Sequence, residues 1–195
     1  MGTFFELVIK GDHRDLIPYL SGFAASARAR GIYFAEEAGL HLNPLRERVQ
    51  QHGEVQHVIC TEALRGAVHD ALSKAAPRFR FEIKDERRIE RATFSFKVKT
   101  PSKQVAKAVK DAIAKPPRNV AITGFAPVET EDPSAEGAEV YTPVHDYSFK
   151  AEGNVEGDIA VIEMRIKLAA IDFVHCDEIE LHEQARDPGM PGKPS

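Results

Sequence analysis

Apolar and polar residues alternate from the start of the chain. Phe5, Leu7 and Ile9 fall on one side of an extended segment, with Glu6, Val8 and Lys10 on the other, which predicts a strand. Gly11 breaks that run. Asp12 and Asp15 then pair as an N-cap and an acidic third position, and Leu16, Leu20, Phe23 and Ala27 follow at helical spacing up to Gly31. Ile32 to Ala35 predicts a short second strand. Residues 36–54 lose the periodicity and contain Gly39, Pro44 and Gly53, so they read as a loop with a helical turn. Val55 to Cys60 predicts a third strand. Thr61 caps a helix whose stripe is Leu64, Val68, Leu72 and Ala75, and Phe79, Phe81 and Ile83 alternate with charge in a fourth strand.

Strand, helix, strand, strand, helix, strand is the order of a ferredoxin-like βαββαβ unit, assigned here to residues 1–86. Asp85–Arg91 is charged and lacks Gly and Pro, so it predicts either a continuing strand or a short turn. A second α+β unit is expected over 91–183. Phe94, Phe96 and Val98 alternate with Ser95, Lys97 and Lys99, and a helix carries Val105, Val109 and Ile113 between Pro101 and Pro116-Pro117. Asn119–Val128 predicts another strand.

Beyond it the echo of the first half is expected to fail. Residues 129–137 read as an acidic loop, 140–150 as a strand and 151–158 as a polar turn. The run IAVIEMRIKLAAI reads as a long strand with Ile162, Met164, Ile166 and Leu168 on one face. HCDEIELH, residues 175–182, reads as the last strand, and 184–195 as an unordered tail. The two units together are expected to form separate lobes or one continuous two-lobed structure.

The 195 residues, 43% hydrophobic, suit one medium or two small domains with a core. No window holds the ~18 consecutive apolar residues that span a bilayer. The start reads as a strand rather than a signal segment. Two cysteines, Cys60 and Cys176, are too few for a disulfide scaffold and fit a cytoplasmic protein. The net charge of −4 hides a split. Residues 78–118 carry 13 Lys or Arg against 5 Asp or Glu, whereas 119–195 carry 5 against 16. Such halves can face one another, across a dimer for instance.

Four features carry candidate chemistry. HCDEIELH is rich in metal-ligand types. On a straight strand His175 and His182 are about 23 Å apart, so only His175 with Asp177, or Cys176 with Glu178, can share an ion, with His145 the best further ligand. Cys60 sits at a strand-to-helix junction, where a helix N-terminus favours thiolate. Lys103, Lys107 and Lys110 line one helix face, with Lys97 and Lys99 on the strand before it, as a phosphate or nucleic-acid face. The phenylalanines that would stack on bases alternate with charge and read as core instead. The chain contains no P-loop, GxGxxG, HExxH, GxSxG or EF-hand loop. The first expectation is therefore a non-catalytic binding or assembly module, homo-oligomeric through a sheet edge or through charge-complementary surfaces. The alternatives are a metal-dependent enzyme or metal-binding protein using the C-terminal strands, and nucleic-acid or phosphate binding through the basic 97–118 face. The sequence assigns no cofactor.

Overall fold

The computed structural model describes residues 3–11, 19, 22, 31–34, 55–78, 81–132 and 146–183. The helix expected after Asp12, the loop over 36–54, His145 and the 184–195 tail lie outside these residues. The elements run in the order β1 (Phe4–Gly11), β2 (Ile32–Phe34), β3 (Val55–Thr61), α1 (Glu62–Ala75), β4 (Phe81–Thr100), α2 (Lys103–Ala114), β5 (Val120–Thr123), β6 (Val128–Asp132), β7 (Asp146–Gly157), α3 (Ala160–Ala169), β8 (Val174–Cys176) and β9 (Glu180–Glu183). The fold is mixed α+β, with nine strands in one antiparallel sheet and three helices among the described residues. None of those helices is long and apolar enough to cross a membrane.

β4 organises the sheet. Asp85–Arg91, expected as strand or turn, is the middle of this 20-residue strand. Ile89 pairs with both Phe4 and Glu183, and Ala92 with both Gly157 and Leu181. β1 and β7 therefore lie end to end along one edge of β4, and β9 and β8 along the other. β3 and β2 extend the sheet from β1, giving the order β4-β1-β3-β2. β5 and β6 together line the far edge of β7, giving β8-β4-β7-β5.

Two register irregularities set the face that the middle of β4 presents. The pairing with β1 skips Lys84, and the pairing with β9 skips Glu90. One extra residue reverses the side-chain phase of a strand. Between the irregularities Glu86 therefore turns toward Arg65 and His69 of α1, and Ile89 toward the other face. Across both, the reversals cancel, and Phe81 and Ile83 pack with Phe5, Leu7, Cys60, Val68 and Leu72 beneath α1. Ala92, Phe94 and Phe96 pack on the other face with Val155, Val161, Ile162 and Met164 of the α3 core. Val98, Val109 and Phe149 continue that layer under α2. α1 thus covers one face of the sheet, while α2 and α3 cover the opposite one.

The α3 core also reaches back to Phe4, Ile59 and Ile89, on the side of the β1–β3 part of the sheet away from α1. Tyr33 donates to Glu163 of α3 at 2.7 Å across the same junction. Arg87 ties in both directions there, pairing with the fully buried Glu6 and with Glu183 of β9.

Three expectations change. IAVIEMRIKLAAI is helix α3, not a strand. Its apolar residues satisfy both periods, and the tertiary structure selects the helical one by burying Val161, Ile162, Met164, Arg165 and Leu168. Ile166, which a strand would bury with Ile162 and Met164, stays 41% exposed. Asp158 starts the helix by accepting from the Ala160 N–H at 3.0 Å. Residues 151–157 are the second half of β7, not a turn. Their glycines are contact glycines: a Cβ on Gly153 would lie 2.8 Å from the Phe96 ring, and one on Gly157 only 2.2 Å from the Asn119 carbonyl oxygen. The acidic stretch after Val128 begins as β6, and Gly124–Pro127 separates it from β5.

Candidate binding site on the open sheet face

The alternation that sends Phe94, Phe96 and Val98 into the core sends Thr93, Ser95, Lys97 and Lys99 to the other side of β4. No described helix covers that side of the second half. The cross-strand register sorts its residues into rows: Glu180 with Thr93 and Glu156, Ser95 with Asn154, His175 with Lys97 and Glu152, and Lys99 with Lys150. The described face is mostly polar, and Phe94 and Phe96 of β4 and Tyr147 and Phe149 of β7 point away from it. Among the described residues this face therefore carries no stacking platform for bases.

HCDEIELH borders it and is not one strand. β8 ends at Cys176, β9 begins at Glu180, and Asp177–Ile179 forms a break between them. In a straight strand Ile179 would share a side with His175 and Asp177. The break instead turns Ile179 fully into the core while His175 and Asp177 stay exposed. The Asp177 N–H donates to the Ser95 carbonyl at 2.8 Å, and Arg165 Nε donates to the Asp177 carbonyl at 2.9 Å, so the break is held from both sides.

Beside the break lies a cavity of about 530 Å³, lined by Asp177, Glu178 and Glu180 from the C-terminal segment and by Thr93, Ser95 and Asn154 from the sheet. Oε2 of Glu178 is buried without a hydrogen-bond partner. The lining supplies anionic and hydrogen-bonding acceptors, which suits a cationic group carrying N–H donors. Thr93 Oγ1 and His182 Nε2 stand 2.8 Å apart, a hydroxyl and imidazole within reach of proton transfer. Among the described residues no carboxylate orients the other nitrogen of His182, so the contact ties β9 to β4 without completing a nucleophile, base and orienting group.

The other sequence candidates are dispersed. His175 Nε2 lies 3.9 Å from Asp177 Oδ1, both exposed, while Cys176 turns inward against the core. Among the described residues no group of three or more His, Cys, Asp or Glu side chains is placed to hold a metal ion, and His145 lies outside them. Cys60 is fully buried in the α1 core. Burial first, then the charge of Glu86, pushes its thiol up to about 12 despite Arg65, opposite to what a thiolate requires. Burial likewise raises Cys176, to about 11.

The basic residues divide. On α2, Lys103 pairs with Glu131, Lys107 with Asp111 and Lys110 with Glu129, two of them bridging to acidic β6. Lys97 and Lys99 lie on the opposite face of the sheet from α2, so the five lysines do not make one surface. Lys150 was not singled out by sequence. The signal that would have found it is its register opposite Lys99, which needs the β4–β7 pairing.

No family model matches the chain, and no curated protein does. Among solved structures it is similar to a chain described as the crystal structure of an unknown protein from Galdieria sulphuraria, at 17% identity and a TM-score of 0.32, with 93% of this chain and 98% of that one covered.

Proposed function

We propose that the protein is a non-catalytic binding and assembly module, and that its recognition element is the cavity between β4 and the β8–β9 break, which receives a cationic group. The observation that carries this reading is the cavity itself: about 530 Å³ on a sheet face that no described helix covers, with Asp177, Glu178 and Glu180 around it. Carboxylates gathered on a concave surface focus a negative potential, which attracts a cation and holds it through charge-assisted hydrogen bonds.

The finer architecture we infer is a pair of ferredoxin-like units that share β4. The orders β4-β1-β3-β2 and β8-β4-β7-β5, each with antiparallel neighbours, both correspond to the 4-1-3-2 arrangement of a βαββαβ unit. That architecture carries no function with it. A cytoplasmic setting belongs to the same reading and is supported by two cysteines that remain unpaired.

The test is calorimetric titration with spermidine as the cationic probe. Millimolar or tighter binding is expected at 50 mM salt, weakening at least tenfold in the D177N/E180Q variant and fading as salt rises. Equal binding by the wild type and the variant rejects the cavity as the site.

A further inference from the structure

We infer that the open face of the second half is a self-complementary surface that docks a second copy of this chain. The inference rests on the cavity being a receptor for cations, and it names the cation as the lysine cluster of the partner copy.

The face is electrically graded along its strands. At one end Lys99 and Lys150 stand directly opposite each other, with Lys97 one row away across from Glu152, all exposed. At the other end Asp177, Glu178 and Glu180 border the cavity. Six residues of β4 separate the Thr93 row from the Lys99 row, about 20 Å at ~3.3 Å per residue. The lysines of α2 are all engaged with acidic neighbours, whereas among the described residues no ion pair or hydrogen bond engages the side chains of Lys97, Lys99 or Lys150. Like charges opposite one another on antiparallel strands are destabilising. The Lys99–Lys150 pair therefore costs the isolated fold something that an approaching anionic surface returns.

A surface positive at one end and negative at the other is its own complement under a two-fold rotation. A two-fold axis lying between the two faces, parallel to the sheets and running across the strands at the middle row, brings each lysine end over the acidic cavity of the other copy, so both contacts are satisfied at once. Exposed Val128, in register with Lys150, adds apolar area to the lysine end.

Size sets the strength. Four strands at ~4.8 Å spacing and seven residues of length make a face of roughly 400 Å² per copy, or about 800 Å² for the pair. Stable interfaces bury ~1,200–2,000 Å². The dimer is accordingly a weak one, governed by charge and therefore by salt, with a Kd of roughly 10–100 μM.

Sedimentation equilibrium up to 500 μM protein tests this. In 50 mM salt the wild type is expected to dimerise, with Kd weakening at least tenfold in 500 mM salt. Two charge-reversed variants, K97E/K99E/K150E and D177K/E180K, are each expected to be monomeric, with the wild-type circular dichroism spectrum. Mixed in equal amounts they are expected to form the heterodimer, because each reversed end then meets its opposite. The milder K99Q/K150Q variant, expected to weaken the dimer at least fivefold, replaces any reversal that fails to fold.

A wild type that stays monomeric at 500 μM overturns the inference, as does a dimer that the reversals leave intact or a mixture that stays monomeric. Spermidine separates the two readings. Binding by a monomeric wild type leaves the cavity reading standing and removes only the second copy. Charge-restored mixing without spermidine binding keeps the dimer and removes the cavity as a small-cation site.

Discussion

Gly157→Ala adds a single methyl group at the most crowded glycine of β7, and the structure sets the size of the effect. The new Cβ would lie 2.2 Å from the Asn119 carbonyl oxygen, 3.1 Å from Val120 Cα and 3.2 Å from the Asn119 carbonyl carbon. Ordinary contact needs about 1 Å more, and the obstacle is backbone rather than a side chain that can swing aside. Asn119 is held in the left-handed region, at φ 66°, and its Nδ2 donates to Asp158 Oδ2 at 2.9 Å. Asp158 in turn receives the first N–H groups of α3. Relief of the clash therefore moves β5 off β7 and loosens the start of α3 together. Overpacking of ~1–3 kcal/mol with a lost hydrogen bond of ~1 kcal/mol gives roughly 3 kcal/mol of destabilisation, a fall in Tm of about 10 °C.

Gly66→Ala is the matched control. It adds the same methyl group on the exposed side of α1, where nothing lies within 4 Å. It is expected to stabilise by about 0.5–1 kcal/mol, because glycine inside a helix is unfavourable. Urea unfolding followed by circular dichroism measures both. If Gly157→Ala stays within about 0.5 kcal/mol of the wild type, the close approach of the Asn119 turn to β7 is wrong.

Three further outcomes follow from local geometry. Ser102 caps α2 by accepting from the Val105 N–H at 3.3 Å, so Ser102→Ala is expected to cost about 1 kcal/mol in the same urea assay; no loss would remove the cap from the account of α2. Burial alone would raise the Glu86 carboxyl, but the Arg65 hydrogen bond, with the charges of Arg65 and His69, holds it below its ordinary value of 4.5. The stability it contributes is thus fully present above pH 4.5 and lost as the pH falls through the lower folded value. The gap between wild type and Glu86→Gln should close over that acid range, and a gap independent of pH would contradict the assignment. Iodoacetamide at neutral pH is expected to label Cys60 far more slowly than a free thiol, and Cys176 also slowly, with full labelling after unfolding; rapid native labelling of Cys60 would refute its burial.

The sequence by itself determined the elements whose period is unambiguous. Phe5, Leu7 and Ile9 mark β1, the stripe from Leu64 to Ala75 marks α1, and Phe94, Phe96 and Val98 mark the buried side of β4. Local patterning suffices there because one face is apolar and the other charged, so only one period buries the apolar set.

Tertiary structure decided the rest, for three physical reasons. Around Ile162 both periods bury apolar groups, and only the space between the two parts of the sheet selects helix α3. Gly153 and Gly157 look like turn residues because glycine's absent Cβ is visible in sequence, while the Phe96 ring and Asn119 carbonyl that occupy its place are not. HCDEIELH has the composition of a ligand cluster on one strand, and the break at Asp177–Ile179 that makes it a cavity wall depends on the bond that Asp177 donates to Ser95 and the one it accepts from Arg165. The pairing of Lys99 with Lys150 is of the same kind. Register joins residues far apart in the chain, and no local pattern of charge contains it.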